Sequence, residues 1–240
     1  GSDPKDPNSM PSGLLAYFDF ENFDGSTLFD SSLLENHATI IRENQTTLGI
    51  KGGAPSGPTP ETAGQLVDGL LNVPGIDLTK VINGEGSYTF SAWLKPTDLS
   101  GNKFLFGQTF QGIHNGIRNN GYLHQAHWGA DTNGNTILNS NEWIHSAWVY
   151  DGESDVGTIY LNGEVDWEGA KRAPNGSGNL IIGGRSGGGD GYVGLVDEIA
   201  IWDRAMEPEF IKALSEGASP VSSNSLDQDE DGLPDWWETK

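Results

Sequence analysis

The chain has no cysteine, only 13 lysines and arginines against 34 aspartates and glutamates, and no apolar run approaching the length of a membrane span. Each scarcity excludes something. Without cysteine there is no disulfide framework and no thiol chemistry. A net charge of −21 excludes nucleic acid as a partner, because binding a phosphate backbone needs clustered Lys and Arg. The lack of a long apolar segment excludes helical membrane insertion. An acidic chain of this kind stays in solution and attracts cations, calcium in particular.

What remains is rich in glycine (34) and aromatic residues, with eight Trp, six Tyr and nine Phe. Aromatic rings build a core when buried and a ligand platform when exposed. Short apolar or alternating runs are punctuated by Gly, Asn and Pro, the pattern of many short strands. It predicts strands over Leu14–Phe20, Tyr88–Leu94, Phe104–Phe106, Tyr122–Trp128, Trp143–Tyr150, Thr158–Leu161, Leu180–Ile182 and Tyr192–Trp202. Within them Tyr88, Phe90 and Ala92 alternate with Thr89, Ser91 and Trp93. Leu195, Asp197, Ile199 and Ile201 alternate likewise with Val196, Glu198, Ala200 and Trp202. Such strands have one face in a core and one outside. Asn120-Gly121 and Asn162-Gly163 signal hairpin turns. Phe210, Ile211 and Leu214 predict one short helix near Pro208–Leu214, stopped by Gly217. Residues 1–12, opening GSDPKDPNSM, read as an expression scar or disordered segment, 13–217 as the folded unit, 218–226 as a Ser-rich linker, and 227–240 as a separate acidic element.

Three stretches carry candidate chemistry. The first, Gly112 to Trp128, reads as a hairpin turning at Asn119–Gly121. A three-residue loop places His114, Arg118, Tyr122, His124 and Trp128 on one surface. A two-residue turn instead places His114 and Arg118 with Gln125 and His127. Either surface suits a sugar, which needs a flat ring for its C–H face and polar groups for its hydroxyls. Zinc fits less well, since His-x9-His-x2-His is not a recognised spacing and alternation separates His124 from His127. The second stretch runs from Asp227 to Glu238. Oxygen donors at Asp227, Asp229, Asp231, Asp235 and Glu238, with the carbonyl of Leu233 and the turn residue Gly232, match an EF-hand calcium loop. No entering helix precedes it, and Pro234 has no N–H to donate. In the third, alternation over Glu164-Val-Asp-Trp-Glu168 places Glu164, Asp166 and Glu168 on one face.

The segments LLAYFDFEN, FDSSLLENHATI, YTFSAWLKP, NEWIHSAWVYDG, TIYLNGE and VGLVDEIAIWDRAM, in this order from Gly13 to Glu216, resemble the laminin G-like domains of the concanavalin A-like lectin/glucanase superfamily. The resemblance implies an all-β fold, a two-sheet antiparallel jelly-roll β-sandwich. It also implies a structural calcium site, matched by Asp19 or Asp30, Asn36, and Asp197 with Glu198. The loop at Asp227–Glu238 is similar to thrombospondin type 3 and dockerin-like repeats. The Glu164–Glu168 strand is similar to the E-x-D-x-E strand of laminarinase-type glycosidases.

Together these features predict a non-catalytic, calcium-stabilised module that recognises a glycan or a cell-surface or matrix ligand. It belongs to a larger secreted or cell-surface bacterial protein and is monomeric when isolated. The alternatives are a glycoside hydrolase using Glu164, Asp166 and Glu168, and a structural protein-binding spacer, because fold alone does not fix function.

Overall fold

The computed structural model describes residues 13–32, 34–81, 86–110, 112–185 and 188–221. The alternating runs become strands β1 Leu14–Phe18, β2 Thr27–Leu28, β3 Ala38–Ile40, β4 Thr46–Lys51, β5 Thr62–Val67, β6 Leu71–Asp77, β7 Tyr88–Pro96 and β8 Lys103–Phe110. They continue as β9 His114–Arg118, β10 Tyr122–Gln125, β11 Thr132–Ile137, β12 Ile144–Asp151, β13 Val156–Leu161, β14 Glu164–Ala170, β15 Ser177–Ile182 and β16 Val193–Trp202. A single turn, α1 (Leu78–Val81), and the helix α2 (Pro208–Ser215) complete the elements discussed below.

Two eight-stranded antiparallel sheets result. One runs β14-β13-β12-β7-β16-β5-β4, with β1 also pairing β16; the other runs β11-β10-β9-β8-β15-β6-β3-β2. The fold is the all-β sandwich that the sequence predicts. Residues alternating inward from both sheets interdigitate as the core. Tyr88, Phe90, Phe106 and Trp148 lie at its centre, with Phe90 and Phe106 centroids 5.0 Å apart and Trp148 edge-on to Phe106 at 5.6 Å. Such pairs add about 0.5–1.5 kcal/mol each beyond the area they bury.

The outer faces differ. Helix α2 presents Phe210, Ile211 and Leu214 to the first sheet and covers Tyr17, Tyr160 and Trp202. It ends where Gly217, at φ +100°, adopts the left-handed conformation, and Ala218 N–H donates to the Ala213 carbonyl at 2.9 Å. No helix covers the outer face of β8–β10 among the described residues, yet His114 and His124 are buried there, and Trp128, Arg118 and Asp131 reach solvent. Strands β2 to β6 and β11 escaped the sequence reading because Gly, Pro, Asn and Thr interrupt their apolar alternation.

Two β-bulges overturn readings made from strict alternation. In β16 one extra residue sits between the pairs Asp197–Trp93 and Ala200–Ser91, with Glu198 at φ 52°. Val196 and Ile199 therefore both reach the core, and Asp197 is not on the face of Ile199 and Ile201. In β14 the bulge lies opposite Ile159 and Tyr160. Glu164 then pairs with Leu161 and Glu168 with Thr158, partners on opposite faces of β13. Asp166 is buried, and its Oδ2 accepts the Asn135 N–H of β11 at 3.0 Å. The three carboxylates do not share a face.

Candidate ligand-binding face and acidic corner

The β9–β10 hairpin resolves the two registers. Arg118 pairs with Tyr122, Leu123 with Ile117 and His124 with Gly116, so the loop takes three residues. Asn119 (φ 54°), Asn120 (φ 65°) and Gly121 (φ 116°) all have positive φ, which this tripeptide tolerates. His114, Arg118, Tyr122, His124 and Trp128 accordingly lie on the outer face. The surface combining His114 and Arg118 with Gln125 and His127 does not form. Gln125 and His127 point inward: Gln125 Nε2 donates to Tyr88 Oη at 3.0 Å and to the Val149 carbonyl at 2.8 Å. Tyr88 Oη lies 2.7 Å from His127 Nε2, and His127 Nδ1 lies 2.6 Å from the Arg172 carbonyl. Since a carbonyl can only accept, the His127 proton is on Nδ1 and Tyr88 donates to Nε2. Burial holds the His127 pKa down to about 3, so it is a neutral strut.

On the outer face an aromatic floor carries a polar rim. Phe104 of β8 packs edge-on to His114 at 4.9 Å and lies 5.9 Å from His124; the two imidazoles are 5.7 Å apart. Trp128, 41% exposed, stands 6.0 Å from His114. His124 Nδ1 lies 2.7 Å from Asn133 Oδ1, which accepts its proton, and His124 Nε2 accepts from Arg118 Nη1 at 3.3 Å. Arg118 also donates to Asp131 Oδ2 at 2.5 Å. Arg185 lies over the Phe104 ring at 5.7 Å and pairs with Asp190 at 2.5 Å. Burial lowers the pKa of both histidines, that of His124 to about 4. Burial is the largest influence on Asp131 and would raise it, but the Arg118 hydrogen bond and the charges of His114, His124 and Arg118 together outweigh it and hold the carboxyl below the usual range. The face thus presents a neutral imidazole pair, balanced charges and one exposed indole. Phe104, Asp131, Asn133 and Arg185 were missed from sequence, because β8 and β11 join the hairpin only through sheet pairing.

The residues implied as calcium ligands divide into two groups. Asp30 is the hub of a loop clasp: its Oδ1 accepts Tyr17 N–H and Ser32 N–H, and its Oδ2 accepts Ser32 O–H and Asn36 N–H, all within 2.7–2.8 Å. The Asn36 amide donates to the Leu15 carbonyl at 2.8 Å. Asp197 and Glu198 form a separate corner beneath the 53–62 loop. Asp197, fully buried, accepts Ala54 N–H at 2.8 Å. Glu198 accepts Thr59 N–H at 2.7 Å, Thr59 O–H at 2.5 Å, and the Tyr17 hydroxyl. Glu21, just past β1, accepts Thr62 N–H at 2.7 Å. Burial, despite the Ala54 hydrogen bond, pushes Asp197 up to about 8, and the charges of Glu198 and Glu21 push the same way. Burial likewise raises Glu198, with a smaller contribution from Asp19. Among the described residues no ion pair reaches Asp19, Glu21, Asp197 or Glu198. The predicted calcium loop at Asp227, Asp229, Asp231, Leu233, Asp235 and Glu238 lies outside the described residues.

Among solved structures, domain 4 of AbnA, a GH43 extracellular arabinanase from Geobacillus stearothermophilus, in complex with arabinotriose, superposes with a TM-score of 0.61 at 20% identity, covering 85% of this chain and 98% of that one. Trypanosoma rangeli sialidase in complex with sialic acid gives 0.61 at 15% identity, covering 86% of this chain and 33% of the sialidase, so the likeness spans only a third of that enzyme. These establish a shared fold. No curated protein gave a significant sequence match. A family model does match over residues 72–212, from β6 through most of α2 and across both sheets, and by it this chain belongs to the concanavalin A-like lectin/glucanases superfamily.

Proposed function

We propose that the chain is a non-catalytic carbohydrate-binding or adhesion module of a larger secreted or cell-surface protein, taking its glycan on the outer face of β8–β10. The observation that carries this reading is the exposed Trp128 beside the His114–His124 pair and the Arg118–Asp131 rim. An indole stacks on the C–H face of a sugar, while imidazole, guanidinium and carboxylate exchange hydrogen bonds with hydroxyls. The arabinotriose in the AbnA domain supports the class of ligand. A glycan array followed by titration of the Trp128→Ala variant tests it. No glycan bound favours the spacer reading, and equal affinity in the variant rejects this face as the site. Hydrolysis by Glu164 and Glu168 finds no support in the geometry, since their backbone partners face opposite ways.

Calcium is proposed at the acidic corner on the chemistry of its donors, which are oxygens alone. Asp197 and Glu198 are buried with Asp19 and Glu21 nearby, and among the described residues no basic side chain pairs with them. Buried carboxylates of this kind need a cation or a proton. Asp197 and Glu198, with Asp19 and Glu21, would hold the ion, which would supply the counter-charge. Asp30 and Asn36 brace β1 from the other side through hydrogen bonds.

A further inference from the structure

We propose that His114, His124 and Asp131 form a divalent transition-metal site of the zinc type, which opens when Arg118 swings aside and leaves coordination positions for water or a ligand hydroxyl. Nothing in this inference requires the glycan reading, although both use the same face. Among the described residues this is the one group of three His, Asp or Glu side chains whose ligand atoms lie within 4.8 Å of one another.

The donor set has the features of a metal site. The His124 proton is on Nδ1, held by Asn133 Oδ1, so Nε2 offers a lone pair to the cluster. Metal-ligating histidines are oriented by such a second hydrogen bond from the other ring nitrogen. His114 Nε2 faces Asp131 Oδ1 at 3.7 Å, too far for a hydrogen bond. An ion placed between them would be within reach of both the imidazole nitrogen and the carboxylate.

Arg118 reaches into the same cluster. Its Nη1 touches both His124 Nε2 and Asp131 Oδ2 but has no hydrogen bond to His114. A guanidinium is a donor and cannot bring two imidazoles and a carboxylate onto one point, whereas a metal ion can. Arg118 ends β9, and its side chain is 31% exposed, so it can rotate into solvent without opening the core. Two imidazoles with one carboxylate favour zinc, copper or nickel over calcium, which prefers oxygen alone. The face and the acidic corner are therefore chemically orthogonal.

The test is calorimetric titration of the full chain with Zn2+ in calcium-saturated buffer, with Co2+ as an optical probe of the same site. The expected result is one equivalent bound, with the intense visible absorption of a low-coordinate, nitrogen-containing cobalt site. Asn133→Ala is expected to weaken Zn2+ binding by about 10–100-fold, and Asp131→Asn and His124→Ala by more. Arg118→Ala is expected to tighten it. Should the histidine variant misfold, Asp131→Asn decides, because Asp131 is exposed. Unchanged affinity in Asp131→Asn, or only the faint spectrum of all-oxygen cobalt, overturns the proposal. Glycan binding that persists in chelator alongside absent Zn2+ binding removes the metal site alone. Zn2+ binding without any glycan removes the carbohydrate reading alone.

Discussion

The outer face of β8–β10 and the corner at Asp197–Glu198 are both polar, yet their charge is handled in opposite ways. On the face each carboxylate has a cation: Asp131 has Arg118, and Asp190 has Arg185. In the corner, carboxylates meet backbone and hydroxyl donors and no basic side chain. The difference lies in how each was built. The face follows from period-two alternation across a hairpin, which spreads unlike side chains over a solvated surface. The corner comes from a bulge that crowds two consecutive acids beneath a loop, where burial penalises charge. Balanced charge suits reversible contact with a neutral ligand. Buried carboxylates without a cation need a proton or an ion.

The largest effect expected from this contrast is calcium-dependent stability. At calcium a hundredfold above Kd, one corner site adds ~2.7 kcal/mol, which raises Tm by about 5–10 °C for a chain of this size. Asp197→Asn should reverse sign with conditions. In chelator it stabilises, by removing a charge that burial disfavours; in calcium it destabilises, by removing a ligand. Melting curves of both proteins with and without calcium check this, and superimposable curves for the parent break the comparison.

The two regions should also pull stability in opposite directions with pH. Asp197 has a folded pKa raised to about 8, so without calcium its contribution is present below the unfolded carboxylate range and is lost as pH rises through 8. On the face, His124 has a folded value lowered to about 4, and burial lowers its neighbour His114 as well. Their contribution is present above the unfolded value of ~6.5 and is lost as pH falls toward their folded values. In chelator, denaturant midpoints should therefore peak at mildly acidic pH. Adding calcium should flatten the alkaline limb only.

Glycan affinity provides a finer test of the face. Trp128→Ala and Arg118→Ala should each weaken binding by ~1–3 kcal/mol in chelator. Trp128→Ala should barely move Tm, because the indole is 41% exposed and belongs to neither core cluster. His124 is only 1% exposed, so truncating it costs stability as well as affinity. The smallest effect concerns the end of α2. Pro220 is buried and Val221 packs on the Trp202–Phe210 cluster, so ending the chain at Ser219 instead of Val221 should cost about 1 kcal/mol. Chemical denaturation of the two truncated chains measures it.

Most of the sandwich was legible because its central strands alternate cleanly. Tyr88, Phe90 and Ala92 fall in the core as their spacing requires, Trp148 and Trp202 are fully buried, and Gly217 stops α2. The outer face was half legible. Alternation grouped His114, Arg118, Tyr122, His124 and Trp128 for one of two registers, and the choice fell to a loop in which three successive residues have positive φ. Asp131 and Phe104 carry no local signal, since each reaches the site from a neighbouring strand or its approach.

The amino-acid order by itself determined the absence of thiol chemistry, the acidic balance, the periodicity of the central strands and the residues available for turns. These are properties of composition and nearest neighbours. Only the tertiary structure decided where that periodicity breaks. A bulge inserts one residue and inverts every side chain beyond it, as it does at Glu198 and again opposite Tyr160, and nothing in the local sequence announces the insertion. Whether a carboxylate meets an arginine, a backbone amide or another carboxylate depends on that parity and on which strand lies alongside, so the chemistry of both sites was settled by packing.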